Sequence, residues 1–316
     1  MIYDWVSISS KIHSVQNFID LLGLNYEGIE WEQTKGAFGY RDRLYWEKIS
    51  IHYNGREDMG ILLEMSGQGC RAFESFGSGD YNVLFDEVFE NPEEVHLTRL
   101  DVAFDDHEGL LSIDQLCDDS RNGEFISKFK SGNVTYGLIE DTGKSTTFGS
   151  RASEILIRIY DKAAERGYTD GRHWVRVELQ LRRDRALAFL DDPAQLGDRF
   201  RGVLANYLRF IDEPAGDDTN RWRWPMKSYW EQLLAGVKKI VLFTAPGAEY
   251  NMMNVENFVF KQAGGAIYTY LECYGIEKFL ERLQHRGVPL NAKYKSLLAQ
   301  YGKLGYNLSK NVREED

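Results

Sequence analysis

The 316 residues include only three cysteines, Cys70, Cys117 and Cys273, and no Cys-x-x-Cys pair. An odd, scattered set excludes a disulfide framework and a cysteine zinc site, and points to a reducing compartment. No apolar run reaches the ~18 residues that a membrane span needs. The opening Met1-Ile-Tyr-Asp-Trp5 lacks the basic and apolar regions of a secretory leader. A cytoplasmic protein without a membrane partner is therefore expected. Overall positive charge is also missing. The net charge is −11, with 24 Lys and Arg against 38 Asp and Glu in residues 1–216, and 14 against 11 beyond them. Nucleic-acid binding needs only a local basic surface, and Glu277–Arg313 offers one, with eight basic residues and two acidic. A solvated helix face would look the same.

What is present suffices for a packed core: 43% of residues are hydrophobic and 13% aromatic. Alternation predicts a first strand over Tyr3–Ile8, and helical spacing follows over Val15–Leu22. Leu44–Tyr53 reads as one strand ending in an Asn54-Gly55 hairpin, with Gly60–Ser66 returning. Gly67-Gln-Gly-Cys-Arg71 reads as a turn. Helices are predicted at Tyr81–Glu90, Ser112–Asn122 and Asp184–Leu190. Strands are predicted at His96–Phe104, Val134–Glu140, Ser145–Gly149, Glu154–Tyr160 and Trp174–Leu181. After Asp198 the strand signal nearly vanishes, and the polar stretch Asp212–Asn220 suits a linker. The expectation is an α+β fold: a mostly antiparallel sheet with flanking helices over residues 1–215, then a helical region over 216–316 that could hold duplex DNA.

Three of these strands share one chemical pattern. Residues two apart on a strand share a face. Leu100, Val102 and Phe104 form an apolar face, leaving Arg99, Asp101, Ala103 and Asp105 opposite. Val175, Val177, Leu179 and Leu181 leave Arg176, Glu178 and Gln180. Ile155, Ile157 and Ile159 leave Arg158, Tyr160 and Lys162. If the strands are neighbours, Asp101, Glu178 and Tyr160 converge among arginines. A solvated outer face with cross-strand ion pairs fits the same pattern.

A converged site would have a coherent chemistry. Asp101 and Glu178, with Asp105 as a weaker third, would hold a hard divalent cation, Mg²⁺ or Mn²⁺. Tyr160 would attack a DNA phosphodiester, leaving phosphotyrosine on one end and a hydroxyl on the other, so the cut could be resealed without ATP. Arg158 and Lys162 would lower the phenol's pKa and stabilise charge on phosphorus.

The string Thr147-Phe-Gly-Ser-Arg-Ala-Ser-Glu-Ile-Leu-Ile-Arg-Ile-Tyr-Asp-Lys162 resembles the signature of the Rep_trans replication initiation factor family. Leu63–Arg71, Thr98–Asp106 and Arg176–Leu181 are similar to further segments of that family, in the same order. The resemblance spans residues 1–215 and is looser beyond. It implies initiators of rolling-circle replication, of plasmid or phage, or relaxases of conjugative elements. It also implies Tyr160 as nucleophile with Arg158 beside it, Asp101 and Glu178 as metal ligands, origin DNA as substrate, a host superfamily-one helicase as partner, and often a homodimer. Many rolling-circle enzymes bind metal through a His-hydrophobic-His pair. The six histidines here never occur two apart, so a carboxylate site is required. Some relaxases of this group carry an N-terminal helix-turn-helix domain. Here the resemblance begins at the first strand, and duplex recognition is expected elsewhere.

Other signals are weaker. Gly143-Lys144-Ser145 is not a phosphate loop, because position 138 is Leu138 rather than glycine. Gln68, Arg71, Ser150 and Arg151, with Arg99 and Arg176, are candidate DNA contacts. Trp222, Trp224, Tyr229 and Trp230 suit either base stacking or helix packing. Tyr136 is a rival nucleophile, and Cys70 beside Arg71 could be a reactive thiol. Two rival functions remain open, a non-catalytic origin-binding protein and a carboxylate-dependent hydrolytic nuclease.

Overall fold

Hydrophobic alternation becomes a ten-stranded, wholly antiparallel sheet in the computed structural model. The structure describes residues 1–137, 143–192, 194–214, 218–236, 242, 255, 259–260 and 263–285. In chain order the elements begin with β1 (Ile2–Ser10), α1 (Val15–Leu21), β2 (Glu32–Lys35), β3 (Asp42–Trp46), β4 (Ile49–Tyr53) and β5 (Ile61–Ser66). There follow α2 (Gly67–Phe76), α3 (Tyr81–Glu90), β6 (Val95–Asp106), α4 (Ile113–Arg121), β7 (Phe125–Ser127) and β8 (Gly132–Thr135). Next come β9 (Ser145–Phe148), β10 (Ile155–Asp161), α5 (Lys162–Glu165), β11 (Val175–Arg182) and α6 (Asp184–Asp191). The last are α7 (Leu196–Tyr207), β12 (Leu208–Phe210), α8 (Ser228–Leu234) and α9 (Gly264–His285).

The strand order is β2-β3-β4-β5-β1-β6-β11-β10-β9-β8, and β7 pairs separately with β12. One face of the sheet is apolar. Val6, Ile8, Ile51, Leu63, Leu100, Val102, Ile157, Ile159, Val177 and Leu179 are all buried on it, against helix residues such as Phe18, Phe73, Leu84, Leu116, Phe189 and Phe200. This accounts for the amphipathic helices: each needs a sheet face to cover its apolar stripe.

Three local expectations are corrected. Gly67–Arg71 is the first turns of α2, not a turn between elements. Its glycines answer close packing. A Cβ on Gly67 would stand 2.5 Å from an Asp4 carboxylate oxygen, and one on Gly69 would stand 2.4 Å from the Lys48 carbonyl. Gly69→Ala is therefore expected to cost ~1–3 kcal/mol; an unchanged urea midpoint would contradict this. Residues 42–53 form two strands joined at Glu47-Lys48, not one. Both turn residues have positive φ, 43° and 67°. That is the backbone such a hairpin needs, here without the usual Asn-Gly signal. Finally, a short strand, β12, forms after residue 198, where the strand signal had nearly vanished.

The chain divides into two compact units, Met1–Thr244 and Ala245–Asp316. The division falls later than the polar stretch at 212–220. Tyr229 and Trp230 of α8 are buried within the first unit, with the Tyr229 hydroxyl donating to Asp119 at 2.8 Å. In the second unit, α9 is interrupted at Gly275, whose φ of 78° is not helical. Arg286, Lys293, Lys295, Lys303, Lys310 and Arg313 of the basic segment lie outside the described residues. Among the described residues no helix is long and apolar enough to cross a membrane.

Candidate active site

β6, β11 and β10 are consecutive neighbours, so their polar residues share the face opposite the helices. Asp101 pairs across from Gln180, Glu178 from Ala103, and Tyr160 from Arg176. Glu178 is thus the diagonal neighbour of both Asp101 and Tyr160, a spacing of ~7–8 Å between backbones that long side chains bridge. The Tyr160 hydroxyl donates to Glu178 Oε2 at 3.1 Å. Lys162 Nζ donates to the same hydroxyl at 3.4 Å. The Arg158 guanidinium lies 4.1 Å from the centre of the Tyr160 ring.

All three central groups are withdrawn from solvent: Tyr160 is 3% exposed, Asp101 2% and Glu178 8%. Tyr160 is nevertheless not in the apolar core. It lies on the polar face, under the Arg158 guanidinium and the buried Lys162 amine, which is itself paired with Glu165 at 2.5 Å. Burial raises its pKa above the ordinary phenol value and the Glu178 charge adds to this, while Arg176 opposes. This is opposite to the lowering expected from Arg158 and Lys162. Desolvation and a carboxylate in hydrogen-bond contact outweigh the neighbouring cations.

Burial also raises Glu178, with repulsion from Asp4 next. Asp101 is pushed up to about 7 by burial and by Glu178, against two-oxygen pairing with Arg99. The folded state therefore keeps a proton on Asp101 between roughly pH 4 and 7, where the unfolded chain has lost it. Metal-free protein should lose stability as pH rises through that window. In EDTA, the wild-type urea midpoint should fall relative to that of Asp101→Asn between about pH 5 and about pH 8. A pH-independent difference would contradict this.

Sequence reasoning missed Asp4. In a regular strand it would lie on the apolar face with Val6 and Ile8, but the β1–β6 register shifts between Tyr3 and Trp5. Such a bulge re-aims a side chain. Asp4 Oδ1 reaches Arg176 Nη1 at 2.7 Å, and its charge raises both Asp101 and Glu178. The signal was available, an acid in step with core residues.

The other expected residues are placed as follows. Asp105 spends its oxygens on Arg176 and the Trp174 indole, each at 2.7 Å. This pairing holds its carboxyl below the usual range despite burial. Arg176, expected on DNA, is instead 3% exposed and paired with Asp4 and Asp105, a structural position. Arg99 lies 4.0 Å over the Trp5 ring while it holds Asp101. Arg71 donates to the Tyr3 carbonyl at 2.8 Å and pairs with Glu74. Gln68, Ser150 and Arg151 are exposed. Tyr136 lies under Arg121 and points its hydroxyl at Asp118, away from the two carboxylates. Cys70 is buried, with its thiol pushed up to about 12 by burial, the opposite of a reactive thiolate.

The donor set suits a hard divalent cation. Asp101 and Glu178 are close carboxylates, each raised through burial and charge repulsion that a cation would relieve, and Mg²⁺ commonly takes one or two carboxylates with water and phosphate oxygens completing the shell. Among the described residues no group of three or more His, Cys, Asp and Glu forms an all-protein cage.

Comparison with known proteins identifies the family of the chain. Residues 95–310 match the family described as Replication initiation factor. The chain belongs to that family. Residues 1–90 match the Rolling Circle replication initiation protein N-terminal domain, so β1–β5 and the carboxylate strands come from adjoining family segments. A Bacillus subtilis (strain 168) protein assigned by name as a DNA relaxase, NicK, is 29% identical over 262 residues, covering 78% of this chain and 74% of its own length. The structure of a rolling circle replication initiator protein from Geobacillus stearothermophilus is similar at 31% identity and a TM-score of 0.67. It covers 77% of this chain and 98% of its own.

Proposed function

We propose that this replication initiation factor is a site-specific DNA strand-nicking enzyme that cuts through Tyr160 and remains joined to one DNA end. The observation that carries the reading is the hydrogen bond from the Tyr160 hydroxyl to Glu178, in a family whose relatives are named as initiators and a relaxase. A nucleophile within ~2.6–3.2 Å of a carboxylate of raised pKa has a general base in place.

In the reaction, Glu178 accepts the phenolic proton as Tyr160 oxygen forms its bond to phosphorus. The bond from phosphorus to a deoxyribose oxygen breaks, and that oxygen leaves as a hydroxyl, taking a proton from water while Glu178 returns its own to solvent. Lys162, Arg158 and Arg99 supply positive charge where charge accumulates on the phosphoryl oxygens. The new phosphodiester retains the energy of the old, so the reverse attack reseals the strand. Asp101 and the other oxygen of Glu178 would hold Mg²⁺ or Mn²⁺, which would supply Lewis-acid polarisation of a phosphate oxygen. Asp105, committed to Arg176, is left out of that role. The free hydroxyl would prime synthesis or start transfer of a mobile element, with a helicase unwinding from the nick.

The test is incubation of the pure protein with supercoiled origin DNA and Mn²⁺ or Mg²⁺. Open circles with protein covalently attached are expected, and chelation should prevent both. Open circles whose ends carry no protein would favour a hydrolytic nuclease. Binding without a cut would favour an origin-binding protein.

A further inference from the structure

A groove of about 600 Å³ lies on the same sheet face, with Trp5, Phe38, Glu64, Arg99, Arg182 and Arg183 among its walls. Arg99 joins it to the carboxylates, since the guanidinium that binds Asp101 also lies 4.0 Å over the Trp5 ring. The volume suits a small-molecule-sized guest, within the ~300–1,000 Å³ of ligand pockets. Its chemistry is divided. Aromatic and guanidinium planes stand beside further arginines, Glu64 and Glu154 add carboxylates, and the Ser7 hydroxyl accepts from the Trp5 indole at 2.7 Å.

The backbone gives an independent sign. Phe38 has φ 56°, and Arg183 has φ 50° with ψ −128°. Bulky residues seldom adopt positive φ, and such strain concentrates where ligands are held. Both of these residues line this groove. Phe38 is also 67% exposed, an aromatic side chain left in solvent at its edge.

We propose that this groove is a nucleotide subsite that takes one unpaired base of the cut strand, a few nucleotides from the scissile phosphate, since Arg99 and Arg182 lie six residues along their strands from the Tyr160–Arg176–Asp105 row. The base lies against the Trp5–Arg99 stack and Phe38, the adjoining phosphates face Arg182 and Arg183, and Glu64 accepts from an exocyclic amino group. Aromatic and guanidinium planes are general platforms for unpaired bases. At position 4 cytosine offers an amino donor to the carboxylate, whereas thymine places a carbonyl oxygen there that repels it. Burial raises the Glu64 pKa, though Arg99 and Arg43 oppose, so a donor there would be welcome to the ionised form. The subsite would make the enzyme selective at one position a few nucleotides from the nick.

This inference rests on the nicking reading, and a binding assay separates the two. Labelled single-stranded octamers of deoxycytidine, of thymidine and of abasic deoxyribose are titrated by anisotropy in EDTA, where no cleavage intervenes. Wild type should prefer deoxycytidine. Phe38→Ala should weaken that binding roughly 5- to 150-fold with an unchanged melting temperature, and abasic binding should be the same for both proteins. Glu64→Gln should erase the preference for deoxycytidine over thymidine. Wild-type-like binding by a folded Phe38→Ala would overturn the subsite and leave the nicking reading intact. Failure of wild type to bind any octamer would also overturn it, and the adduct assay on origin DNA then decides the nicking reading separately.

Discussion

Tyr160→Phe is expected to yield no covalent protein–DNA adduct and to lower strand cleavage on the order of 10⁴- to 10⁶-fold, the scale of losing a nucleophile. The substitution removes one oxygen and keeps the ring under Arg158. Origin binding should therefore stay within about twofold of wild type, because ground-state contacts are retained. The hydroxyl lost is a donor to the buried Glu178 carboxylate, which is left without it, so stability should fall by ~1–3 kcal/mol. Gel analysis of labelled origin DNA after protease-free denaturation reads the adduct, and filter binding reads affinity. A variant that still becomes joined to DNA would remove Tyr160 from the mechanism.

Replacement of Arg176 by Met should act on the fold rather than on DNA affinity. Its guanidinium is the shared partner of Asp4 and Asp105, at 2.7 Å from each, and is 3% exposed. Both carboxylates hold it firmly protonated in spite of burial. Breaking a buried pair from one side leaves charge without compensation, at a cost of ~3–5 kcal/mol. Urea denaturation should show a loss of that size. Adding Asp4→Asn should recover part of it, since one of the orphaned charges is gone. A folded Arg176→Met protein of wild-type stability, with weaker salt dependence of DNA binding, would instead place Arg176 on the phosphate backbone.

These two residues show how far the linear pattern carries. Alternation over Arg99–Asp105, Leu156–Tyr160 and Arg176–Gln180 marks the polar face, because the period of two is enforced by the pleat itself. That the strands are neighbours depends on pairings of distant segments, β1 with β6 and β6 with β11, which local pattern does not contain. Asp4 entered the site only through a bulge, and Arg176 was withdrawn from it because two acids from different strands meet there. The glycines of Gly67-Gln-Gly-Cys-Arg71 suggested a turn, but they relieve contact with Asp4 and Lys48 inside a helix. In each case the deciding partner lies far away in sequence.

Peptide mapping of the trapped protein–DNA adduct by mass spectrometry is the most direct measurement of the nucleophile. After nuclease and protease digestion, the nucleotide mass should be found on the peptide that contains Tyr160, linked through its phenolic oxygen. A nucleotide on Tyr136, or on any other side chain, would contradict the assignment, and the Tyr160–Glu178 hydrogen bond would then belong to the structure rather than to the reaction.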